Sequence, residues 1–176
     1  GAMPLENPTA ILTHYGYASD GPMLPAANSI QAKDNKVEAT KTEPDKNTYL
    51  VLEGQRGPDA NYNYGTHFLY QGHEAAASVG GVKQGLITRI NLDADQAHRV
   101  TLLATTDSSG AKIATIDGSR WDPWAQKLIF TTENANAPTY SATPDYPSTV
   151  EDISGSIGRG GYEGVTLDSE SNVIIA

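Results

Sequence analysis

The chain has 176 residues, no cysteine and a formal net charge of −9 at pH 7. This length suits a single domain with a full core, and the lack of cysteine excludes disulfides, thiolate metal ligands and cysteine nucleophiles. A negative surface repels phosphate backbones, and no apolar stretch approaches the roughly 20 residues that span a bilayer. We therefore expect neither nucleic acid nor a membrane as a partner.

The composition favours strands over helices. The chain contains 17 glycines, 10 prolines and 9 tyrosines, and threonine, valine and isoleucine are frequent. These residues are typical of short strands joined by tight turns. Since hardly any stretch repeats its apolar residues at helical spacing, we predict an all-β fold.

The first 47 residues are predicted to lie outside the main body. Residues 1–3 resemble the remnant of a cleaved tag. Residues 4–47 contain five prolines and keep neither the strand period nor the helix period, which indicates an extended N-terminal arm packed on the rest of the chain. Residues 48–176 form the predicted β domain. It ends in a strand without a turn or polar tail, so we expect a C-terminal truncation.

Within this domain the sequence predicts short strands in chain order. Apolar runs separated by turn residues indicate strands at 48–52, 66–70, 85–92, 100–104 and 172–176, and a hairpin within 117–134 whose second strand contains the apolar run 128–130. Residues 137–147 form a proline-rich connection, and 148–153 could form a short helix. This pattern predicts a partial β-propeller, with a β-sandwich as the alternative.

A weak internal repeat supports the propeller prediction. Asp117 and Glu163 are 46 residues apart, each precedes a glycine, and a second acid follows five residues later, at Asp122 and Asp168. A period of about 20 to 50 residues is typical of propeller blades. Since a blade needs about four strands, the chain would supply about two to three blades. Chance alignment is the alternative.

The repeat also points to candidate metal ligands. In a propeller the first strand of each blade lines the central channel, so Asp117 and Glu163 would face one axis, and Glu133 follows the second strand of the first hairpin. Converging carboxylates repel each other, and a hard cation such as Ca²⁺ relieves that repulsion. The alternative is that these acids cap turns or accept backbone N–H groups. Arg159, in a glycine-rich stretch, is a candidate phosphate contact.

Four stretches of the sequence resemble the bacterial PhoX-like proteins, a family of secreted propellers that includes PhoX-type alkaline phosphatases. The resemblance covers nearly the whole chain after residue 3 and is carried by residues 49–74, 85–107, 117–134 and 158–176. It implies a propeller with about six blades, of the closed type, and a cluster of iron and calcium ions that binds phosphate at one end of the channel. It also implies a periplasmic or extracellular location.

The resemblance assigns roles to particular residues. Glu133 and Glu163 match metal-ligand glutamates of the family, whereas Thr132 stands where the phosphatases have an iron-bridging cysteine and Asn134 replaces a second acid. Because a hydroxyl is a poor substitute for a thiolate, the resemblance implies Ca²⁺ and disfavours iron.

Two functions follow as hypotheses. The chain would be a fragment, itself inactive, of a metal-dependent phosphoester hydrolase, with Arg159 facing a phosphorylated small molecule. The alternative is a non-catalytic, secreted calcium-binding propeller that acts as a structural or binding module. A partial propeller also exposes a strand edge, so we expect pairing with another copy or with the missing C-terminal part.

Overall fold

A computed structural model describes residues 3–9, 14–15, 30–32, 36–38, 43–79 and 82–176. Within these residues the fold is all-β, as predicted, with one helix of four residues. Short antiparallel pairs come first: β1 (Met3–Pro4) with β2 (His14–Tyr15), and β3 (Ile30–Ala32) with β4 (Lys36–Glu38). These residues contain no helix that is long and apolar enough to cross a membrane.

The first large sheet is a four-stranded antiparallel meander in chain order. It consists of β5 (Glu43–Val51), β6 (His67–Val79), β7 (Val82–Asn91) and β8 (Val100–Ala104). The edge of β8 is covered by the N-terminal segment, where Glu6 N donates to Val100 O at 2.8 Å and the Asn7 side chain bonds both backbone groups of Leu102. Leu5 is buried beside this edge. Residues 5–7 of the predicted arm therefore pack on the first sheet.

The second large sheet is also a four-stranded meander, and a hairpin follows it. The sheet consists of β9 (Ile116–Asp122), β10 (Lys127–Thr132), β11 (Tyr140–Ala142) and β12 (Val150–Asp152). After the single-turn helix α1 (Ser154–Ile157), β13 (Val165–Leu167) pairs with β14 (Val173–Ile175). The two sheets and the hairpin therefore follow one another along the chain. Among the described residues, no strand of one unit pairs with a strand of another.

The sheets stack face to face in the same order. β9 lies against β5 and β6 of the first sheet and also against β13 of the hairpin. The core between the two large sheets contains Phe68, Tyr70, Ile87, Ile116, Leu128, Phe130 and Tyr140, all at most 1% exposed. Burial of each such side chain contributes about 1.5–3 kcal/mol. The Thr48 and Ser119 hydroxyls, 2.7 Å apart, link the first strands of the two sheets.

The two hairpins of the sequence repeat share their turn geometry. Asp122 accepts backbone N–H groups from two residues of the β9–β10 turn, and Asp168 does the same between β13 and β14. Each turn ends with a residue in the left-handed region, Gln126 at φ 53° and Ser171 at φ 63°. The second acid of each repeat therefore caps a turn, which is a structural role.

Several predicted boundaries differ from the structure. β5 begins at Glu43, inside the predicted arm, and β6 extends to Val79, well beyond the end of the strand predicted at 66–70. β11 lies within the proline-rich 137–147 segment, where no strand was predicted. The helix proposed for 148–153 is wrong because Val150–Asp152 forms β12, and the helix begins at Ser154. Much of the predicted arm lies outside the described residues.

Candidate functional site

Acidic residues from three consecutive structural units gather at one end of the stacked sheets. In an antiparallel meander the start of one strand meets the end of the next, as in the pairs Thr132↔Ile116 and His73↔Pro44. An acidic residue directly follows each of these four paired residues, and a fifth lies just before β13. They are Asp45, Glu74, Asp117, Glu133 and Glu163. Together with Lys46 we call them the acidic end.

Lys46 joins the leading segments of three units. Its Nζ donates to Asp117 Oδ1 at 2.9 Å and also to the carbonyl oxygen of Glu163. The Asp117 side chain is only 5% exposed, whereas that of Lys46 is 50% exposed. One ammonium on β5 therefore holds a carboxylate on β9 and a backbone oxygen just before β13.

The glycine after Asp117 permits this approach. A Cβ at Gly118 would lie 2.2 Å from Thr131 Oγ1 and 3.2 Å from Glu163 O, so a side chain there would push the segment before β13 away. The equivalent Gly164 has no atom within 4 Å of a built Cβ. In the first copy of the repeat, close packing therefore explains why a glycine follows the acid. Nothing in the structure explains Gly164 in the second copy.

The carboxyl group of Asp45 is influenced by the neighbouring side chains of Asp117, Glu74 and Lys46. Burial, followed by a hydrogen bond and charge repulsion from Asp117, raises the pKa of Asp45 to about 7. Glu74 raises it further, and Lys46 opposes the shift. The Asp117 carboxylate in turn raises the pKa of Lys46. The raised pKa of Asp45 thus reflects first its burial and then its closeness to the Asp117 carboxylate, with Lys46 as the opposing charge.

Glu133 and Glu163 lie on backbone segments that run side by side. Tyr162 N donates to Thr132 O at 2.9 Å, and both glutamates are exposed. Glu133 lines a groove of about 340 Å³ together with Glu74, Lys112 and Asn134. The two glutamates predicted as ligands therefore belong to neighbouring segments of the acidic end.

Arg159 is engaged elsewhere. Its Nη2 lies 2.5 Å from Asp152 Oδ2 and its Nη1 donates to Asn136 O at 3.3 Å. It lines another groove, of about 640 Å³, whose wall also includes Asp107 and Glu151. The predicted phosphate contact is therefore paired with a carboxylate and surrounded by acids, a setting that disfavours a phosphate ligand.

The donor atoms of the acidic end are of the type that a hard cation prefers, and they do not suit iron. The side chain at Thr132, which matches the family cysteine, is buried and donates its hydroxyl to Pro138 O at 2.9 Å. Asn134 Nδ2 donates to Thr115 Oγ1 at 2.9 Å. The remaining groups of the acidic end are carboxylate and carbonyl oxygens, which Ca²⁺ prefers. Among the described residues no group of three or more His, Asp or Glu side chains is arranged to hold a metal.

Sequence reasoning missed Asp45 and Lys46, because both fall in the segment predicted as an arm. The sequence did contain a hint of Asp45. Like Asp117, Asp45 is an acidic residue close to the start of a predicted strand. The Asp45 copy lacks the following glycine, so the repeat did not reveal it.

Fold and site together define a class of protein, an all-β chain of stacked antiparallel sheets with a carboxylate-rich end organised by one lysine. No family model matches the chain, and neither the search of curated proteins nor that of solved structures found a match. The resemblance to PhoX-like proteins therefore rests on the sequence motifs alone.

Proposed function

We propose that the chain is part of a PhoX-like β-propeller protein of the periplasm or extracellular space and that its acidic end binds Ca²⁺. Support for the propeller comes from two meanders of four strands each, built in chain order and stacked face to face. The first strands β5, β9 and β13 are neighbours. A radial array of blades has this order.

The observation that carries the calcium proposal is the meeting of acids from three units around Lys46. Asp45 lies close enough to Asp117 for their charges to repel, and Lys46 links Asp117 to the backbone carbonyl of Glu163. A divalent cation relieves such repulsion and takes carboxylate and carbonyl oxygens as ligands. Glu133 and Glu163, which are exposed, would supply further oxygens. A resident Ca²⁺ also adds stability to a fold that places these acids together.

Phosphoester hydrolysis is the second candidate function. It is favoured by the adjacency of Glu133 and Glu163, because the resemblance matches both to ligand glutamates and the backbone brings their segments together. A bound Ca²⁺ would polarise a phosphoryl oxygen. The glutamates would hold the ion, and Lys46 would orient Asp117. Arg159 has no part in this proposal, because Asp152 occupies its guanidinium.

The binding proposal is tested by thermal unfolding and calorimetry with Ca²⁺ and with EDTA. At a Ca²⁺ concentration of about 100 times Kd we expect about 2.7 kcal/mol of added stability, or a rise in Tm of about 5–10 °C. The double variant Glu133→Gln with Glu163→Gln should lose most of this rise. Glu170→Gln, which removes an exposed acid from the β13–β14 turn, is the matched control.

A melting temperature indifferent to both Ca²⁺ and EDTA would refute the binding proposal. The hydrolase candidate is tested on the full-length protein with a generic phosphomonoester in Ca²⁺. Turnover that disappears in Glu163→Gln supports it. Calcium binding without turnover selects the non-catalytic module.

A further inference from the structure

The loop between β5 and β6 packs against one end of the first sheet, and we call its residues 53–65 the strap. It follows the end of β5 at Val51 and leads into the start of β6 at His67. Since Asp45 lies near the start of β5, the strap lies at the opposite end of the sheet from the acidic end.

A buried arginine on β7 holds the strap on one side. Arg89 Nη2 donates to the carbonyl oxygen of Arg56 at 2.7 Å, and Nη1 donates to Gln55 Oε1 at 3.1 Å. Arg89 is fully buried, and its guanidinium lies over the ring of Tyr64, 5.4 Å from the ring centre. Because the Arg56 carbonyl is bonded in this way, a protease reaches the peptide bond between Arg56 and Gly57 only when the strap opens locally.

A histidine in the turn between β7 and β8 contacts the strap on the other side. The imidazole of His98 stacks on the ring of Tyr62, with 3.6 Å between the ring centres and 11° between the planes. Its Nδ1 lies 2.9 Å from Asp95 Oδ1, and its Nε2 lies 3.6 Å from Asp59 Oδ2. Asp95 belongs to the same turn as His98, whereas Asp59 belongs to the strap. The ring therefore bridges the turn and the strap.

Carboxylates face this imidazole from three elements. They belong to Asp95 in its own turn, to Asp59 in the strap and to Glu6 in the N-terminal segment. Tyr64, which donates to Glu6, lies edge-on to the ring with 6.3 Å between the centres. The hydrogen bond to Asp95 raises the pKa of His98 above its ordinary value of 6.5, the negative charges add to the rise, and burial opposes it. The closed strap thus favours the protonated ring.

The two ring nitrogens respond differently when the ring loses a proton. A neutral imidazole keeps one N–H. The hydrogen bond to Asp95 at 2.9 Å keeps that proton on Nδ1, so the proton that leaves is the one on Nε2. The lone pair of Nε2 then faces the Asp59 carboxylate, and the two repel each other. Deprotonation therefore weakens the contact with the strap and preserves the contact within the turn.

We propose that His98 is a pH-sensitive latch, in which the proton on Nε2 holds the strap against the β7–β8 turn and its loss lets the strap open. The strap is held below the ordinary pKa of 6.5 and is released as pH rises through the raised value. Opening uncovers Tyr62 and the carbonyl oxygen of Arg56. Because the latch lies at the other end of the sheet from the acidic end, this inference does not depend on the calcium proposal.

Limited trypsin digestion of the whole chain measures the opening. Trypsin cuts after arginine, and the rate of cutting after Arg56, followed by mass spectrometry of the fragments, tracks the open population of the strap. The rate is measured at about pH 6 and about pH 8.5, on either side of the histidine titration. It is divided by the rate for a small peptide substrate, which removes the pH dependence of trypsin itself.

Three variants separate the latch from other effects of pH. His98→Gln removes the titrating ring. Asp59→Asn removes the charge of the strap-side partner and keeps its shape, including the oxygen that accepts Asn61 N at 2.9 Å. The matched control is His67→Gln, because His67 is likewise paired with an aspartate, Asp93 at 3.0 Å, but lies outside the strap.

We expect wild type and His67→Gln to be cut after Arg56 about two to five times faster at the higher pH, the ratio that a partly exposed ion pair produces. His98→Gln and Asp59→Asn should lose this difference. Since a general loss of stability would speed cutting at both pH values, only a lost pH dependence supports the latch.

Equal normalised rates for wild type at the two pH values would overturn the inference. A full pH dependence in Asp59→Asn would overturn it as well, because the strap would then open for a reason other than this charge pair. If His98→Gln fails to fold, the result for Asp59→Asn decides.

Discussion

Gly85 in β7 offers a sharp test of how the first sheet meets the segment that leads into the acidic end. A Cβ at this position would lie 1.8 Å from the carbonyl oxygen of Ala114 and 2.6 Å from its carbon. These are backbone atoms, so no side-chain rotation relieves the clash. Gly85 N also donates to Ile113 O at 2.9 Å, and a displaced strand would lose this bond.

The expected cost of Gly85→Ala follows from these contacts. Overpacking typically costs about 1–3 kcal/mol, and the loss of one hydrogen bond costs about 0.5–1.5 kcal/mol. We therefore expect a loss of about 1.5–4.5 kcal/mol, measured as a lower urea midpoint with an unchanged m-value. Because Ala114 precedes Ile116 and Asp117 by only a few residues, the variant should also weaken calcium binding.

Gly155→Ala is the control for this prediction. Gly155 lies in α1, and no atom lies within 4 Å of its built Cβ. We expect this variant to be neutral or more stable by about 0.4–1 kcal/mol, because alanine restricts the unfolded chain. If Gly85→Ala and Gly155→Ala unfolded at the same urea concentration as wild type, the packing of β7 on the 113–115 segment would be wrong.

Two further predictions concern pH. Burial and Asp117 raise the pKa of Asp45 from 3.8 to about 7, so the folded state holds this proton more tightly and stability falls as pH rises through that range. Asp45→Asn should reduce the fall, measured as urea midpoints at pH 5 and pH 8, and an unchanged slope would contradict this. Asp95 raises the pKa of His98, which stacks on Tyr62 at 3.6 Å. Its contribution is fully present below the ordinary pKa of 6.5 and is lost as pH rises through the raised value. The Tm of His98→Gln should therefore vary less with pH than that of wild type, and equal pH profiles would refute the role of the pair.

Local patterns predicted the hairpins well because their cause is local. The strand Val100–Ala104 agrees with its predicted bounds, and the hairpin predicted within 117–134 is present as β9 and β10, although β9 begins at Ile116. Turn residues such as Asp122 bond to backbone groups within three positions. By contrast β11 has three residues beside prolines, and it forms because β10 and β12 pair with it on both sides. That pairing has no signature within β11.

The sequence by itself determined the all-β class, the turns and the repeat that singles out Asp117 and Glu163, because periodicity and turn chemistry act between near neighbours in the chain. Only the tertiary structure brought Lys46 to Asp117, 71 residues away, and to the Glu163 carbonyl, 117 residues away. It also paired Arg159 with Asp152. Such contacts depend on how whole sheets stack, and the energy of that stacking is spread over the buried core.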